Sequence, residues 1–509
     1  MLSLFASSLS TEVSLPILAV LGFVSIFASY VLFSPRQVLS PSSPKQISDQ
    51  YPVLGALRYF STQWDFYRDA IAESKTGNFS FYLGKYGVIG FSGRQARKDY
   101  FESKALSLHE GSSLSPQIPT PPQTIRGGKA IQDTSDFAEY FNRRINRMLS
   151  RENFGRCVPA MIRDTQSRLL EFGDSGMTDP FISIHSLVFQ LTVRNVGCND
   201  IADNRALLDT TRGIYETMES SYNPSIIVLP WIVKLFTPSF INQSIAGARL
   251  YFILKGIVDK RKKIGLREND TLQYLMDQGD DIGKMIGFII GALFAGVVNS
   301  GINSGWLLCY LATNPRWMAE VRKEVENAAA KYSTGFPDET TSLSDQLANL
   351  PVEAWEIEFP MLDLCLRETI RVQGQGVFQR RNVSGTDINI GGEVVPNGAF
   401  ALYHVADTHR DETIYKDPET WDPARYLPDR AEGLNKLDYI GWGIGRHPCP
   451  GMRFAKLEMN MIVAFFVATY NYNLVDKQGS PIPQPPPLNR NNKAASKPDT
   501  TILLKYERR

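Results

Sequence analysis

The chain has 509 residues, 54 basic and 53 acidic, and its net charge of +1 gives no global field that would gather nucleic acid. With 43% hydrophobic and 21% charged residues, the composition is that of an ordinary globular protein. The cysteines at 157, 198, 309, 365 and 449 are odd in number and show no CxxC or metal-ligand spacing; this excludes a disulfide scaffold and fits a reducing compartment.

Residues 13–33 contain no charge and are dominated by Leu, Ile, Val, Phe and Ala. About 20 residues rising about 1.5 Å each cross roughly 30 Å of hydrocarbon, so this segment reads as one transmembrane helix. A cleaved signal peptide would want a basic leader and a shorter apolar stretch, whereas the leader here carries only Glu12. Arg36 and Lys45 follow the span and put the bulk of the chain on the cytoplasmic side, with residues 1–12 lumenal. Pro35, Pro41 and Pro44 among serines make 34–50 a short stiff linker to a single domain, 51–509.

Residues 79–91, rich in aromatic and β-branched side chains with glycine punctuation, read as a β-hairpin. Residues 112–135 hold Pro116, Pro119, Pro121, Pro122, Gly127 and Gly128 and read as an irregular loop. Helical patterns prevail from Phe137, interrupted by the apolar segment 226–236 around Pro230. That segment is too short to span a bilayer, but Trp231, Lys234 and Phe236 suit a place at its surface. A long apolar helix is expected at 282–311 and another helix at 353–372. Residues 388–403 read as paired strands turning at Gly391-Gly392. The Pro-rich stretch 481–487 precedes a last strand, 500–506. The expected fold is mainly α with small β-sheets at the edges.

The stretch Trp442-Gly443-Ile444-Gly445-Arg446-His447-Pro448-Cys449-Pro450-Gly451 carries the most chemical information. Behind it Phe454, Leu457, Met461 and Phe465 are spaced for one helical face, which puts the sulfur at a helix N-terminus. Free amides and the helix dipole there favour a thiolate over a thiol. The glycines permit tight turns and close approach of a flat ligand, and Pro448 and Pro450 stiffen the loop. Earlier in the chain, Glu368 and Arg371 lie three apart on a helical run and share a face. Arg425, in the segment Trp421-Asp422-Pro423-Ala424-Arg425-Tyr426, is a third partner, and one carboxylate with two guanidiniums can form a rigid desolvated network.

The loop resembles the cysteine-ligand loop of the cytochrome P450 superfamily, aromatic-x-x-Gly-x-Arg/His-x-Cys-x-Gly, with Trp442 in the usual Phe position and His447 in the basic one. The order ExxR, Pro-x-Arg, Cys loop matches the superfamily as well. That resemblance implies haem b bound through the Cys449 thiolate as iron ligand, with Trp442, Gly445 and Gly451 in its cradle. It gives Glu368, Arg371 and Arg425 a structural role. The haem carboxylates would find cations among His447, Arg380, Arg381 and, on the helix Arg143-Arg144-Ile145-Asn146-Arg147, Arg143 or Arg144. Arg143, Arg147 and Arg151 also read as a solvated stripe.

The long helix departs from the superfamily pattern Ala/Gly-Gly-x-acid-Thr. This chain reads Ala295-Gly296-Val297-Val298-Asn299-Ser300, so Val298 replaces the acid and Asn299 the Thr. An Asn amide can hold a water for proton delivery, which makes Asn299 and its neighbour Ser300 the catalytic candidates. The substitution looks like steroid 7α-hydroxylases, which oxygenate, and like prostacyclin synthase, which isomerises without external electrons. Gly296 and Gly301 inside a helix each cost about 1 kcal/mol against Ala; they imply either a distortion opening space for oxygen and water, or close packing against haem. The resemblance as a whole is to microsomal, fungal specialised-metabolism members. It implies an endoplasmic-reticulum monooxygenase using O2, with electrons from NADPH through a flavoprotein reductase docking near Arg446, Arg453 and Lys456. Its substrate would be lipophilic, met by 112–135, 226–236, 294–299, 374–378 and 481–487. The alternatives are a reductase-free isomerase or dehydratase acting on a peroxide, and a non-catalytic haem carrier or sensor.

Overall fold

The computed structural model describes residues 35–114, 134–229, 233, 235–333, 341–492 and 494–509, together with Leu18, Leu21, Gly22, Ser25 and Ser29. All but those five residues of the expected membrane anchor lie outside the described residues. So do 115–133 of the expected irregular loop and 230–232 and 234 of the apolar segment.

Among the described residues, helices of nine residues or more are α1 Gln63–Glu73, α2 Arg94–Glu102, α3 Thr134–Met148, α4 Arg151–Leu170, α5 Pro180–Val196, α6 Arg205–Ser220, α7 Pro238–Ile264, α8 Ile282–Thr313, α9 Pro315–Tyr332, α10 Pro360–Gln373 and α11 Met452–Thr469. Strands are β1 Phe79–Leu83, β2 Tyr86–Phe91, β3 Leu106–Ser107, β4 Ser175–Thr178, β5 Val377–Asn382, β6 Ile388–Ile390, β7 Glu393–Val395, β8 Phe400–His404, β9 Tyr470–Val475 and β10 Leu503–Arg508. The expected mainly-α architecture with small sheets is what forms.

α8 is the axle. It is apolar on nearly every side because it is enclosed on nearly every side. Among the described residues it alone is long and apolar enough to cross a bilayer, yet 67% of its most apolar stretch is buried inside the protein, as befits a core helix. Gly296, Gly301 and Gly305 of α8 face α5. A Cβ on Gly296 would lie 2.9 Å from Thr192, on Gly301 2.7 Å from His185, and on Gly305 3.0 Å from Phe181. They let two helices approach closely, and α8 runs unbroken from Ile282 to Thr313 past them. Neither sequence expectation, a distorted helix or packing against haem, accounts for them. Gly301→Ala gains about 1 kcal/mol of helix propensity. It also drives a methyl into a ring and a backbone that cannot both retreat, at about 1–3 kcal/mol. The expected outcome is a net destabilisation, read as a lowered midpoint of urea unfolding.

The sheets pair residues far apart in the chain. The expected hairpin forms as β1 and β2, antiparallel, with Gly84-Lys85 at its tip. It continues into a five-stranded sheet ordered β1-β2-β8-β5-β3, in which β8 runs parallel to β2. The run 388–403 divides: β6 and β7 form a hairpin at Gly391-Gly392, both at positive φ, while β8 joins the large sheet. The helix expected at 353–372 also divides, into Val352–Ile357 and α10. Pro360 has no N–H to continue the first helix, and it pushes Phe359 out of the helical region.

The supposed linker is part of the fold. Ile47 N donates to Ser80 O at 3.0 Å and Ser80 N to Lys45 O at 3.0 Å. Ser43 donates to Val394 O at 2.9 Å, and Gln37 Nε2 to Asn397 O at 3.0 Å. Residues 35–47 therefore lie along β1 and the β6–β7 hairpin rather than free in solvent.

Candidate cofactor site around Cys449

The Cys449 loop is wound by glycine. Gly443 and Gly445 both sit at φ +66°, where a side chain is strained. A Cβ on Gly443 would meet His447 O at 2.6 Å, and one on Gly445 would meet Phe101 O at 2.4 Å. Cys449 N donates to Trp442 O at 2.6 Å, and Arg446 N to Phe101 O at 3.3 Å, which pins the loop to α2. The sulfur stands just ahead of α11, whose N-cap is Gly451, and the Gly451 and Met452 amides act on it as expected. Burial outweighs them and raises the thiol pKa, so without a metal the thiol form is favoured, contrary to the sequence expectation. A bound cation reverses that balance outright. Although Cys449 lies between core elements, it is accessible, whereas the other four cysteines are buried.

A basic corner adjoins the loop. Arg380 and Arg381 are consecutive on β5 and take opposite faces. Arg380 is 2% exposed, donates to Tyr100 O, and packs 4.7 Å over the Tyr100 ring and 5.2 Å over Phe101. It has no carboxylate within ion-pair reach among the described residues. Arg381 turns outward, donating to Gly398 O at 2.9 Å and pairing with Glu110 at 3.5 Å. Burial, then Arg380 and Arg446, lowers the His447 pKa; His447 therefore stands as a neutral donor rather than a cation. Burial and the Arg446 charge likewise depress Arg380. The corner thus holds uncompensated positive charge. On α3, Arg143 is exposed, while Arg144 is buried and paired with Asp280 at 2.6 Å. Composition gave no sign of buried Arg97 on α2, which donates to Thr408 at 2.9 Å and leaves Nε and Nη2 without partners among the described residues.

The network expected of Glu368, Arg371 and Arg425 forms. Arg371 grips both Glu368 oxygens, at 2.7 and 2.8 Å, and Arg425 Nε bonds Oε1 at 2.8 Å. Tyr426 OH adds a bond to Oε2 at 2.8 Å, and the Asp422 amide one to Oε1 at 3.0 Å. Arg371 also donates to His409 O and Pro418 O, each at 2.7 Å. Glu432, which sequence reasoning missed, is a second carboxylate on Arg425 at 2.6 Å. These bonds stitch α10 to the irregular chain leading to the Cys449 loop.

On α8, Asn299 and Ser300 part company. Ala295 and Asn299, one turn apart, are exposed in the middle of an otherwise enclosed helix, and Phe294 and Val298 are half-buried beside them. Accessible surface on so enclosed a helix marks a hollow beside this turn of α8. Asn303 Nδ2 donates to Asn299 O at 2.8 Å and secures that turn. Ser300 is buried on the other side, next to Glu458. Of the three basic residues expected to face a reductase, Arg453 is paired with Glu356 and Lys456 with Asp363. Arg446 alone among them has no carboxylate partner among the described residues.

A family model described as "Cytochrome P450" matches residues 177–503. The chain is 36% identical over 475 residues to "Cytochrome P450 monooxygenase nsrP" of Aspergillus novofumigatus, covering 92% of this chain and 90% of that one. It is 33% identical to "Cytochrome P450 monooxygenase AacuE" of Aspergillus aculeatus, over 90% of this chain and 92% of that protein. The chain belongs to the cytochrome P450 family. It is an oxidoreductase, a haem monooxygenase like the relatives named. A solved structure titled "Retinoic acid bound cyanobacterial CYP120A1" superposes with a TM-score of 0.69 over 93% of this chain and all of that one; at 20% identity it speaks for the cytochrome P450 fold alone.

The residues present fit the haem the family carries. A planar group approaching Cys449 would meet an accessible sulfur on a loop that Gly443 and Gly445 allow to wind tightly. Arg380, a buried guanidinium with no acid of its own among the described residues, would be available to its carboxylates. The fit rests on donor chemistry: one sulfur for iron, one unbalanced cation with His447 and Arg446 nearby for the carboxylates.

Proposed function

We propose that this cytochrome P450 binds haem b through Cys449 and oxygenates a lipophilic small molecule in fungal specialised metabolism. It would do so at the cytoplasmic face of the endoplasmic reticulum, with electrons from NADPH through a flavoprotein reductase. The accessible Cys449 sulfur beside the uncompensated Arg380 corner carries this reading. When bound, the haem supplies O2 activation, and thiolate donation favours O–O cleavage. The chain orients substrate against Phe294, Ala295 and Val298, excludes water with the enclosing helices, and holds a water on the Asn299 amide.

The exposed apolar side chains support the membrane location. Leu235, Phe236, Phe240, Ile241, Ile245 and Phe252 face solvent at and beyond the 226–236 segment. The tip of the β1–β2 hairpin joins this region to the chain entering from the expected anchor: Gly84 abuts Val228, and Gln37 N donates to Lys85 O at 3.0 Å. The chain at Gln37, which follows the expected anchor, thus lies at the same end of the molecule as the 226–236 segment. Of Arg446, Arg453 and Lys456, Arg446 alone has no carboxylate partner among the described residues, which would leave it to a reductase.

The test is spectroscopic, then catalytic. Dithionite-reduced protein under carbon monoxide should show the red-shifted Soret band of thiolate ligation, and turnover should require NADPH and reductase. Turnover of a hydroperoxide with neither would replace monooxygenation by the isomerase reading. Arg380→Ala should lower haem occupancy after purification several-fold, while Arg381→Ala should leave it unchanged, as read by the haem-to-protein absorbance ratio.

A further inference from the structure

One buried acid stands outside every ion pair described above. Glu458 of α11, nine residues beyond Cys449, is 0% exposed. Thr192 of α5 donates to its Oε1 at 3.2 Å, and Oε2 has no partner among the described residues. The groups that face it from the packed helices are Thr192 of α5, Ser300 of α8 and the Cys157 thiol of α4, none of them a cation. An ionised carboxylate there would be an unpaired buried charge, so the neutral acid is the stable form. Burial lifts it to about 8, against the pull of the two hydroxyls.

The position relative to Asn299 gives this acid a use. Oxygenating a C–H bond with O2 consumes two electrons and two protons and releases one water, and α8 here lacks a carboxylate beside Asn299. Ser300 lies about 100° round the helix from Asn299, and Gly296, one turn earlier, falls between those two faces, where Thr192 of α5, the donor to Glu458, fills the space beside it. We propose that Glu458 is a proton store for the reaction, giving its proton through the Ser300 hydroxyl to the hollow that Asn299 faces. The Glu458 O–H bond breaks as the Ser300 oxygen accepts that proton and passes its own to a water on the Asn299 side. The carboxylate left behind keeps Thr192 and Ser300 as donors. Between turnovers the same chain, run backwards from water in the open hollow, reprotonates it.

This inference rests on the monooxygenase reading, so its test has one arm that does not. In the holoenzyme at pH 7, an infrared carbonyl band of a protonated carboxylic acid should be present, titrate near pH 8, and vanish in Glu458→Gln. Its absence overturns the store whatever the enzyme catalyses. In the second arm, Glu458→Gln should keep the red-shifted Soret band, which leaves the haem reading standing. Its NADPH-driven turnover of a lipophilic marker substrate should fall roughly a hundredfold. Hydrogen peroxide brings its own protons, so peroxide-driven turnover should be unchanged, and Glu458→Asp should recover part of the NADPH-driven rate. Equal loss by both routes would mean a structural role and overturn the proposal. Should Glu458→Gln not fold, Ser300→Ala takes the same two turnover measurements with the same expectations.

Discussion

Cys449→Ser is expected to abolish the red-shifted Soret band of the reduced carbon monoxide complex and to take NADPH-driven turnover below detection, with the fold intact. The sulfur is accessible and contributes nothing to a hydrophobic cluster, so losing it removes no core packing. The loop is held by backbone: Gly443 and Gly445 at positive φ, the Cys449 amide on Trp442 O, and the Arg446 amide on Phe101 O. A serine oxygen can still accept from the Gly451 and Met452 amides. It cannot become the soft anionic donor that holds iron and pushes electron density toward it, because a hydroxyl ionises far less readily than a thiol. Thermal unfolding of the apoprotein should therefore match wild type while the spectrum does not. A variant that kept the thiolate-type band would show that another residue holds the iron, and the site proposed here would be wrong.

How much of this site was legible in the sequence depended on whether the signal was local. The Cys449 loop, the hairpin at 79–91, the axle helix and the Glu368–Arg371 pair are each set by residues within a few turns of one another, and each forms as read. Two corrections were also locally legible. Residues i and i+1 on a helix do not share a face, so Asn299 and Ser300 had to point about 100° apart. Pro360 had to break the helix read across it. A lone Glu458 among Phe454, Leu457, Met461 and Phe465 was likewise a visible oddity in an apolar run.

The remainder needed the tertiary fold. Alternation along β5 says that Arg380 and Arg381 face opposite ways. Only the pairing of β5 with β8 and β3, with α2 laid across, decides which one is buried. The parallel pairing of β2 with β8 joins segments some 300 residues apart, and no composition or period announces it. The docking of 35–47 escaped because prolines and serines suit a free linker and a capped edge equally well. Gly296 and Gly301 of α8 read in the sequence as either a helix distortion or close packing against haem. Their actual neighbour is α5, whose own sequence reads only as an apolar helix.

The contrast between buried and exposed pairs in this chain yields the second large effect. Glu368→Gln is expected to destabilise the protein by about 3–5 kcal/mol, the penalty for breaking a buried ion pair from one side. Glu368, Arg371 and Arg425 are 0–1% exposed, and the one carboxylate serves both guanidiniums. An amide of the same shape presents an NH2 group toward donors that have nowhere to turn. Arg425 would keep Glu432, and Arg371 the His409 and Pro418 carbonyls, so the charges would be solvated in part but not balanced. Since a domain stands only about 5–15 kcal/mol above its unfolded state, this is a large share of the whole. It should appear as a lower urea midpoint and as faster loss of haem, because α10 and the approach to the Cys449 loop are tied through this carboxylate. Arg151 and Glu353 also meet as an ion pair, but with side chains 70% and 51% exposed. Arg151→Ala should shift stability by less than about 1 kcal/mol, as water and salt already screen that pair. Equal effects from the two substitutions would refute the premise that desolvation, rather than the count of ion pairs, makes the Glu368 network structural.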